Sequence, residues 1–289
     1  MLDDSARRVL RDTRFSDVRW YPEVTSTNSV LVDLARQGAQ EGVVVVADHQ
    51  TAGRGRRGRT WEAEPGTSLL VSVLLRPRLP ADTVPLLTLM GALAASDACE
   101  EVAGVAPLLK WPNDLVVADG VVGDGVVVDG VVGDGKVGGV LGETVAAAAV
   151  LGIGLNVKAG ATLPPGGLAL EAAAGRPVDR SALLVALLRN LETRYQGLRS
   201  PGGSERLLTD YRARSATIGR AVRVEVEGGT REGSAVDLTP EGHLVIDTGS
   251  RREVVRSGDV VHLRQATPLT GAAPGSGPRS RRHEPPVDA

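Results

Sequence analysis

The sequence predicts an α/β (α+β) protein, with a mixed, largely antiparallel sheet and flanking helices, followed by a small all-β unit. Three observations carry this expectation. First, β-branched runs alternate with stretches of helical period as far as Ser215. Second, KVGGVLGETV and AAAVLGIGLNV lie close enough together to form a hairpin, which pairs its strands antiparallel. Third, beyond Ala216 the chain alternates apolar and polar residues between closely spaced Gly-Gly, Pro-Glu-Gly and Thr-Gly-Ser turns.

Taken in order, residues 1–16 are polar and expected to be peripheral, and Val18–Val24 alternates as a strand. TSTNSVLVDLARQG reads as a helix, with Thr25 or Ser26 as N-cap, Leu31, Leu34 and Ala35 as its apolar stripe, and Gly38 as its stop. Val43–Gln50 (VVVVADHQ) is a continuous β-branched run, the mark of a buried strand, and Ser68–Arg76 (SLLVSVLLR) is another. Thr83–Val102 is a long apolar helix ended by Gly104. LLKW and LVVA are short strands on either side of the WPND turn, and Arg180–Arg199 and Ser204–Arg214 are helices. About five short strands then give a small barrel consistent with an SH3-like fold. The expected domains are a peripheral segment 1–16, a main domain 17–215, a β-barrel 216–266 and a disordered tail 267–289 rich in Pro, Gly, Ser and Arg.

Composition excludes several function classes. The chain has 289 residues and a net charge of −2, so bulk nucleic acid is not its main partner. Aromatics make up only 2%, so the core is built from Val, Leu, Ile and Ala. The single cysteine, Cys99, forms no intrachain disulfide, which suits a reducing, cytoplasmic setting. It falls in an apolar helix and reads as core rather than nucleophile. Four scattered histidines lack zinc-ligand spacing, and the isolated His49 reads as structural. The N-terminus has no signal-peptide core, and the apolar run VAAAAVLGIGL is too short to span a bilayer. One repeat stands out: DGVVGDGVVV (119–128) is followed by DGVVGDGKVG (129–138). Two copies are too few for a solenoid and too poor in ligands for calcium, so an expanded hairpin with Asp-Gly turns is expected.

The most unusual stretch is AGRGRRGRTW, which places Arg54, Arg56, Arg57 and Arg59 within six residues. It lies between two apolar strands, so it is a loop anchored to a core rather than a free basic tail. Gly53, Gly55 and Gly58 let the backbone approach a ligand, and the arginines supply planar donors for carboxylate or phosphate. Gly53 to Gly58 matches GxGxxG formally, but it precedes a strand instead of a helix and is not a dinucleotide fingerprint. Downstream, Lys110 and Asp114 bracket the Trp-Pro-Asn turn, Lys136 stands among glycines, and Asn156 ends the GIGLN run. A lysine suits phosphate and an aspartate suits Mg²⁺ or a hydroxyl.

STN (26–28), QTAGRGRRGRTW (50–61), KWPND (110–114), KVGGVLGE (136–143) and GIGLNV (152–157) occur in that order, and the set resembles the biotin–protein ligases. The resemblance covers roughly residues 18–265. It implies the class II synthetase-like fold of biotin/lipoate ligases and makes 17–215 a catalytic biotin/ATP-binding domain. It also implies a reaction in which biotin and ATP, with Mg²⁺, give biotinyl-5′-AMP, followed by transfer to one lysine of a biotin carboxyl carrier protein or domain of a biotin-dependent carboxylase. By the same resemblance, Ser26, Thr27, Asn28 and Gln50 line the biotin site, and Gly53, Arg54, Gly55 and Arg56 wrap biotin and the adenylate phosphate. Trp61 covers the ligand, while Gly138 and Gly139 allow close approach to biotin. Arg59, Lys110, Asn113, Asp114 and Asn156 serve ATP, with Asp114 near the metal. Arg54, Arg56 and Lys136 are implied as catalytic, with contacts to both substrates. Arg57 is expected to face solvent.

Only about twenty residues precede the first strand, which predicts a ligase without the DNA-binding regulatory domain that some family members carry. No nucleic acid or membrane is expected as partner, and the expected state is a monomer or weak homodimer. Two alternatives stand beside the biotin reading: a lipoate- or octanoate-type ligase, and a nucleic-acid module using the arginine loop. The Asp-Gly-Val repeat falls where the family has a short turn. It is expected to extend outward, because KVGG resumes the pattern intact.

Overall fold

The computed structural model describes residues 3–77, 84–117, 121–122, 126–127, 135–145 and 147–263. Among these, the chain runs α1 (Asp4–Leu10), β1 (Val18–Val24), α2 (Thr27–Arg36), β2 (Val44–Gln50), β3 (Ser68–Leu75), α3 (Pro85–Ala103), β4 (Leu108–Lys110) and β5 (Asp114–Val117). It continues with β6 (Val121–Val122), β7 (Val126–Val127), β8 (Gly135–Val145), β9 (Ala148–Asn156), α4 (Leu170–Ala174), α5 (Arg180–Leu198) and α6 (Gly203–Ala213). The last strands are β10 (Ala221–Val226), β11 (Gly229–Leu238), β12 (Leu244–Asp247), β13 (Arg252–Val255) and β14 (Asp259–His262).

Among the described residues, seven strands form one sheet in the order β1-β2-β3-β9-β8-β5-β4. Only the β1–β2 pair is parallel; the others are antiparallel, with β8 and β9 as the expected hairpin. The sheet is covered on both faces, which explains the unbroken apolar runs of β2 and β3. Val44 and Val46 turn to the main core, while Val45 turns to the opposite face with Leu31 and Ala35 of α2. Val71 and Val73 likewise face the main core and Leu74 faces α2.

The helices start and stop for local reasons. Pro85 opens α3, where a missing N–H costs nothing, and Gly104 ends it at φ 72° in the left-handed region. Thirteen of its nineteen residues are buried, because it lies between the sheet and helices α5 and α6. Asp179 caps α5 by accepting from the amides of Ser181 and Ala182 at 2.6 and 3.1 Å. Neither Thr25 nor Ser26 caps α2 in this way. Ser26 occupies the N-cap position with no side-chain bond to the helix, and the Thr27 amide is bonded instead by Gln50 Oε1 at 2.8 Å. This cap, supplied across the fold, fixes the start of α2 against the end of β2.

The C-terminal strands form one antiparallel sheet in the order β13-β12-β11-β10-β14. The β6–β7 ladder within the Asp-Gly-Val repeat is antiparallel, as a hairpin requires; the repeat's last residues, 135–138, open β8, and its other residues and the expected tail 267–289 lie outside the described residues. Residues 1–16 are not merely peripheral. Asp3 caps α1, and Leu10 and Phe15 are fully buried in the main core. The charged residues around them hide this apolar pair from a composition reading. Helix α4 also went unread, since it is a single short turn of five residues.

Among the described residues, no helix is long and apolar enough to cross a membrane. Phe15→Ala is expected to cost about 3–5 kcal/mol in urea unfolding, the range for an emptied aromatic core site, whereas a peripheral residue would cost almost nothing.

Candidate functional site

One cleft collects most of the motif residues. It has an empty volume of about 750 Å³, open to solvent, and its walls include Ser26, Thr27, Asn28, Gln50, Arg54, Gly55, Arg56, Arg59, Trp61, Asn113, Asp114, Lys136 and Gly139. Gly53, Lys110, Gly138 and Asn156 stand beside it rather than on its walls. Gly53 is buried, and a Cβ there would meet the Trp61 carbonyl. Gly138 faces Leu155. Asn156 donates to the Lys136 carbonyl at 3.1 Å, and Lys110 sits opposite Asp114 in the β4–β5 register.

At one end of the cleft is a buried, uncharged polar cradle. Ser26, Thr27 and Asn28 are 2–4% exposed at the start of α2. Gln50 Oε1 accepts from both the Thr27 amide and its hydroxyl, at 2.8 and 3.1 Å. Beneath them Ser72 is fully buried, with its hydroxyl 2.7 Å from Thr27 Oγ1 and 2.6 Å from Asn28 Oδ1. Asn28 Nδ2 donates to Glu143 Oε2 at 2.7 Å. The floor passes through Gly152 and Gly154 of β9. A Cβ at Gly152 would stand 2.1 Å from Asn28 Oδ1, and one at Gly154 would stand 2.7 Å from the Trp61 indole. The GIG pattern is therefore a clearance that admits both side chains.

At the other end the charge is positive. Arg54, Arg56, Arg59 and Lys136 face two carboxylates, Asp114 and Asp259, along the walls. Lys136 Nζ is 2.7 Å from Asp114 Oδ1 and 5.6 Å from the Trp61 ring centroid. The Trp61 Nε1 is buried without a hydrogen-bond partner. Asn113 binds back to Val140 of β8 at 3.1 Å and approaches Arg56 at 3.4 Å. The register shift between Leu115 and Val116, opposite β8, brings Lys136 level with Val116.

The arginine loop folds on itself before any ligand is considered. Arg54 and Thr60 form an antiparallel bridge, Gly55 donates to the Arg59 carbonyl at 2.7 Å, and Arg56–Gly58 make one 3₁₀ turn. It is also held from outside at both ends. Arg54 pairs with Glu143 at 2.5 Å. Arg56 donates to the Gly258 carbonyl and the Ser257 hydroxyl, each at 3.1 Å. Asp259 then pairs with Arg56 at 3.7 Å, with Arg57 at 3.5 Å and closely with Arg59. Burial lowers the Arg56 pKa, opposed by Asp259 and Asp114; a guanidinium in this state remains charged at neutral pH. Arg57 does not simply face solvent. Its backbone is left-handed at φ 53°, which aims the side chain at the C-terminal sheet, where it donates to the Glu225 carbonyl at 3.0 Å.

The KWPN turn is fixed to the same sheet. The Trp111 amide donates to Thr217 Oγ1 and its indole to the Gly242 carbonyl, both at 3.0 Å, and the Trp111–Pro112 peptide is cis. Sequence reasoning missed Ser72, Asp259 and the specific part played by Glu143. Ser72 sits in a strongly apolar strand and Asp259 in an ordinary alternating one, so neither carries a local signal; Glu143 closed a motif that already had a stronger lysine.

Other groups recede. Burial pushes the Cys99 thiol up to about 12, so it stays protonated at neutral pH and is no nucleophile. His49 pairs with Glu23 at 2.9 Å. Among the described residues, no three His, Cys, Asp or Glu side chains converge as a metal site.

The family model for the biotin/lipoate A/B protein ligase family matches residues 20–158, and that for the biotin protein ligase C terminal domain matches residues 217–263. The chain is 41% identical over 246 residues to a biotin–[acetyl-CoA-carboxylase] ligase of Mycobacterium tuberculosis (strain ATCC 25618 / H37Rv), covering 83% of this chain and 86% of that protein. It is 31% identical over 251 residues to the bifunctional ligase/repressor BirA of Bacillus subtilis (strain 168), covering 83% of this chain and 72% of that one. The biotin protein ligase from Aquifex aeolicus in complex with biotin and ATP superposes with a TM-score of 0.72 at 27% identity, over 87% of this chain and all of that one.

Asp259→Asn keeps the shape but removes the charge on which three arginines converge. Trypsin is expected to cut the 54–59 loop several-fold faster in this variant than in the parent. An unchanged rate would mean the loop's internal turn holds it alone.

Proposed function

The chain belongs to the biotin/lipoate A/B protein ligase family and is an enzyme of the biotin–[acetyl-CoA-carboxylase] ligase type, and on that premise we propose that it forms biotinyl-5′-AMP and passes the biotinyl group to a carrier lysine. The observation that carries this reading is the polarity of the cleft. A buried neutral cradle stands at one end and four cations against two carboxylates at the other, in a chain whose net charge is −2. Such a cleft suits a molecule with an uncharged polar head and an anionic tail, beside a polyphosphate.

In the first step a biotin carboxylate oxygen attacks the α-phosphorus of ATP. The new O–P bond forms as the bond to pyrophosphate breaks, and no proton is transferred. Two anions must be brought together, so the contribution required of the protein is positioning and fixed positive charge. Lys136, on β8 between cradle and arginine loop, is the residue assigned to both the carboxylate and the α-phosphate. Arg54 and Arg56 complete the charge around the adenylate, and Arg59 serves the departing phosphates. Trp61 covers the ligand, and its unpartnered Nε1 is a donor that a bound ligand would satisfy. Lys110, Asn113 and Asn156 are assigned to the nucleotide side, with Gly53, Gly55, Gly138 and Gly139 giving close backbone approach.

Mg²⁺ fits as an ion carried on the phosphates with few protein ligands, since one or two carboxylates and substrate oxygens suffice for it. Asp114 is the carboxylate that would hold it, and the ion would neutralise charge on the outgoing pyrophosphate. In the second step the carrier lysine's amine attacks the acyl carbon and AMP leaves. The carrier proposed is a biotin carboxyl carrier domain of a biotin-dependent carboxylase, met by a monomer or weak homodimer in the cytoplasm.

The polar groups of Ser26, Thr27, Asn28 and Gln50 can take further hydrogen bonds from the ureido ring of biotin, which a dithiolane or plain acyl chain cannot offer, and that difference favours biotin. The test is biotin-dependent exchange of labelled pyrophosphate into ATP, with lipoate as competitor. Biotin should drive exchange and lipoate should not. Lys136→Ala and Arg56→Ala are each expected to lower the exchange rate by about 10²-fold or more, with melting temperatures near that of the parent. Near-parental exchange in either variant removes that residue from the catalytic set.

A further inference from the structure

Under the cleft, one run of hydrogen bonds joins its two ends, and the donors and acceptors order it. Glu143 accepts from both its neighbours, so Asn28 must turn Nδ2 to Glu143 and Oδ1 to Ser72. The single Ser72 proton then goes to Asn28 Oδ1, which leaves Thr27 Oγ1 to donate to Gln50 or to Ser72. The run therefore leads from Gln50 and Thr27 through Ser72 and Asn28 to Glu143, and ends on Arg54.

Its two ends differ in burial. Asn28 is 3% exposed and is clasped by Ser72 and by the close backbone of Gly152. The Arg54 side chain is 46% exposed, and it also reaches Ser29 at the long distance of 3.4 Å. Glu143 gives one carboxylate oxygen to each, at 2.7 and 2.5 Å. It is the group through which a buried part of the cradle holds a half-exposed arginine.

We propose that Glu143 is a positioning residue that couples occupancy of the Asn28 cradle to the placement of Arg54 at the anionic end. The inference rests on the reading of Arg54 as an arginine that acts on the biotin carboxylate and α-phosphate. Biotin's head tightens the cradle, the cradle fixes Asn28, and Glu143 passes that order to Arg54 before ATP arrives. A half-exposed ion pair contributes little to stability, about 0–1 kcal/mol. A misplaced charge at a reacting centre costs far more in rate. The proposed role and a merely structural one therefore differ in their readouts.

The experiment is a double-mutant cycle of Glu143→Gln and Arg54→Ala, read as biotinyl-adenylate formation at subsaturating ATP, with the Kd for biotin alone and the melting temperature measured alongside. Glu143→Gln is expected to lower the rate on the order of 10-fold with Arg54 present and less than about 2-fold in Arg54→Ala. The Kd for biotin alone should move by less than about 3-fold, and the melting temperature by no more than about 2 °C. Equal losses in both backgrounds, or no loss with Arg54 present, overturn the inference. A normal rate in Arg54→Ala by itself overturns the reading of Arg54, and that result is seen separately. Should Glu143→Gln fold poorly, Glu143→Asp, which keeps the charge but draws the carboxylate back by one methylene, goes through the same cycle with the same expected non-additivity.

Discussion

Four guanidinium groups within six residues repel one another unless anions stand among them, and the rest of the site depends on how that repulsion is met. Here two carboxylates meet it from opposite sides. Glu143 reaches Arg54 from the seven-stranded sheet, and Asp259 reaches Arg56, Arg57 and Arg59 from the C-terminal sheet. The loop thus has a defined path before a polyphosphate arrives. Asp259 also stands among the side chains that a phosphate would seek. Binding such a ligand then exchanges one anion for another, instead of ordering a loop from a free coil, and the entropic cost of closing the site is reduced.

That arrangement gives the C-terminal unit a part in shaping a cleft whose other walls come from α2, the arginine loop and the larger sheet. Trp111 is bonded to Thr217 and Gly242, and Arg56 to Gly258 and Ser257. The KWPN turn and the arginine loop are therefore both referenced to the same small sheet, and each would lose its bearing if that sheet shifted. Asn113, which approaches Arg56 and bonds to Val140, ties the two together at the cleft itself.

Much of the fold was legible because periodicity reports burial directly. The continuous runs of β2 and β3 announced strands covered on both faces, and Gly104 announced the end of α3. Leu10 and Phe15 escaped because two buried residues among charges make no pattern. In the site, glycine-spaced arginines and KWPND carried a local signal, and Arg54, Arg56, Arg59, Asn113 and Asp114 from these motifs converge on one cleft. Ser72 and Asp259 carried none. A serine within SLLVSVLL reads as an ordinary strand residue, and only the fold shows that it sits under the cradle. The contact from Arg56 to Asp259 crosses about two hundred residues of chain, a distance over which no spacing rule operates. Ser26 takes the expected N-cap position of α2, but the side-chain acceptor for the Thr27 amide is Gln50, twenty-three residues away, rather than a neighbour.

The Asp-Gly-Val repeat enters between two strand ends that already lie side by side. Val117 of β5 is paired with Gly135 of β8, and the irregularity at Leu115 and Val116 sets the register of Lys136 above that junction. The chain that leaves Val117 comes back to its partner Gly135, and Lys136 next to it is paired with Val116. Loop closure grows only slowly more costly with length. The junction is thus a natural port, where a peptide epitope or a reporter domain could be spliced into this chain while the β5–β8 ladder keeps Lys136 in register.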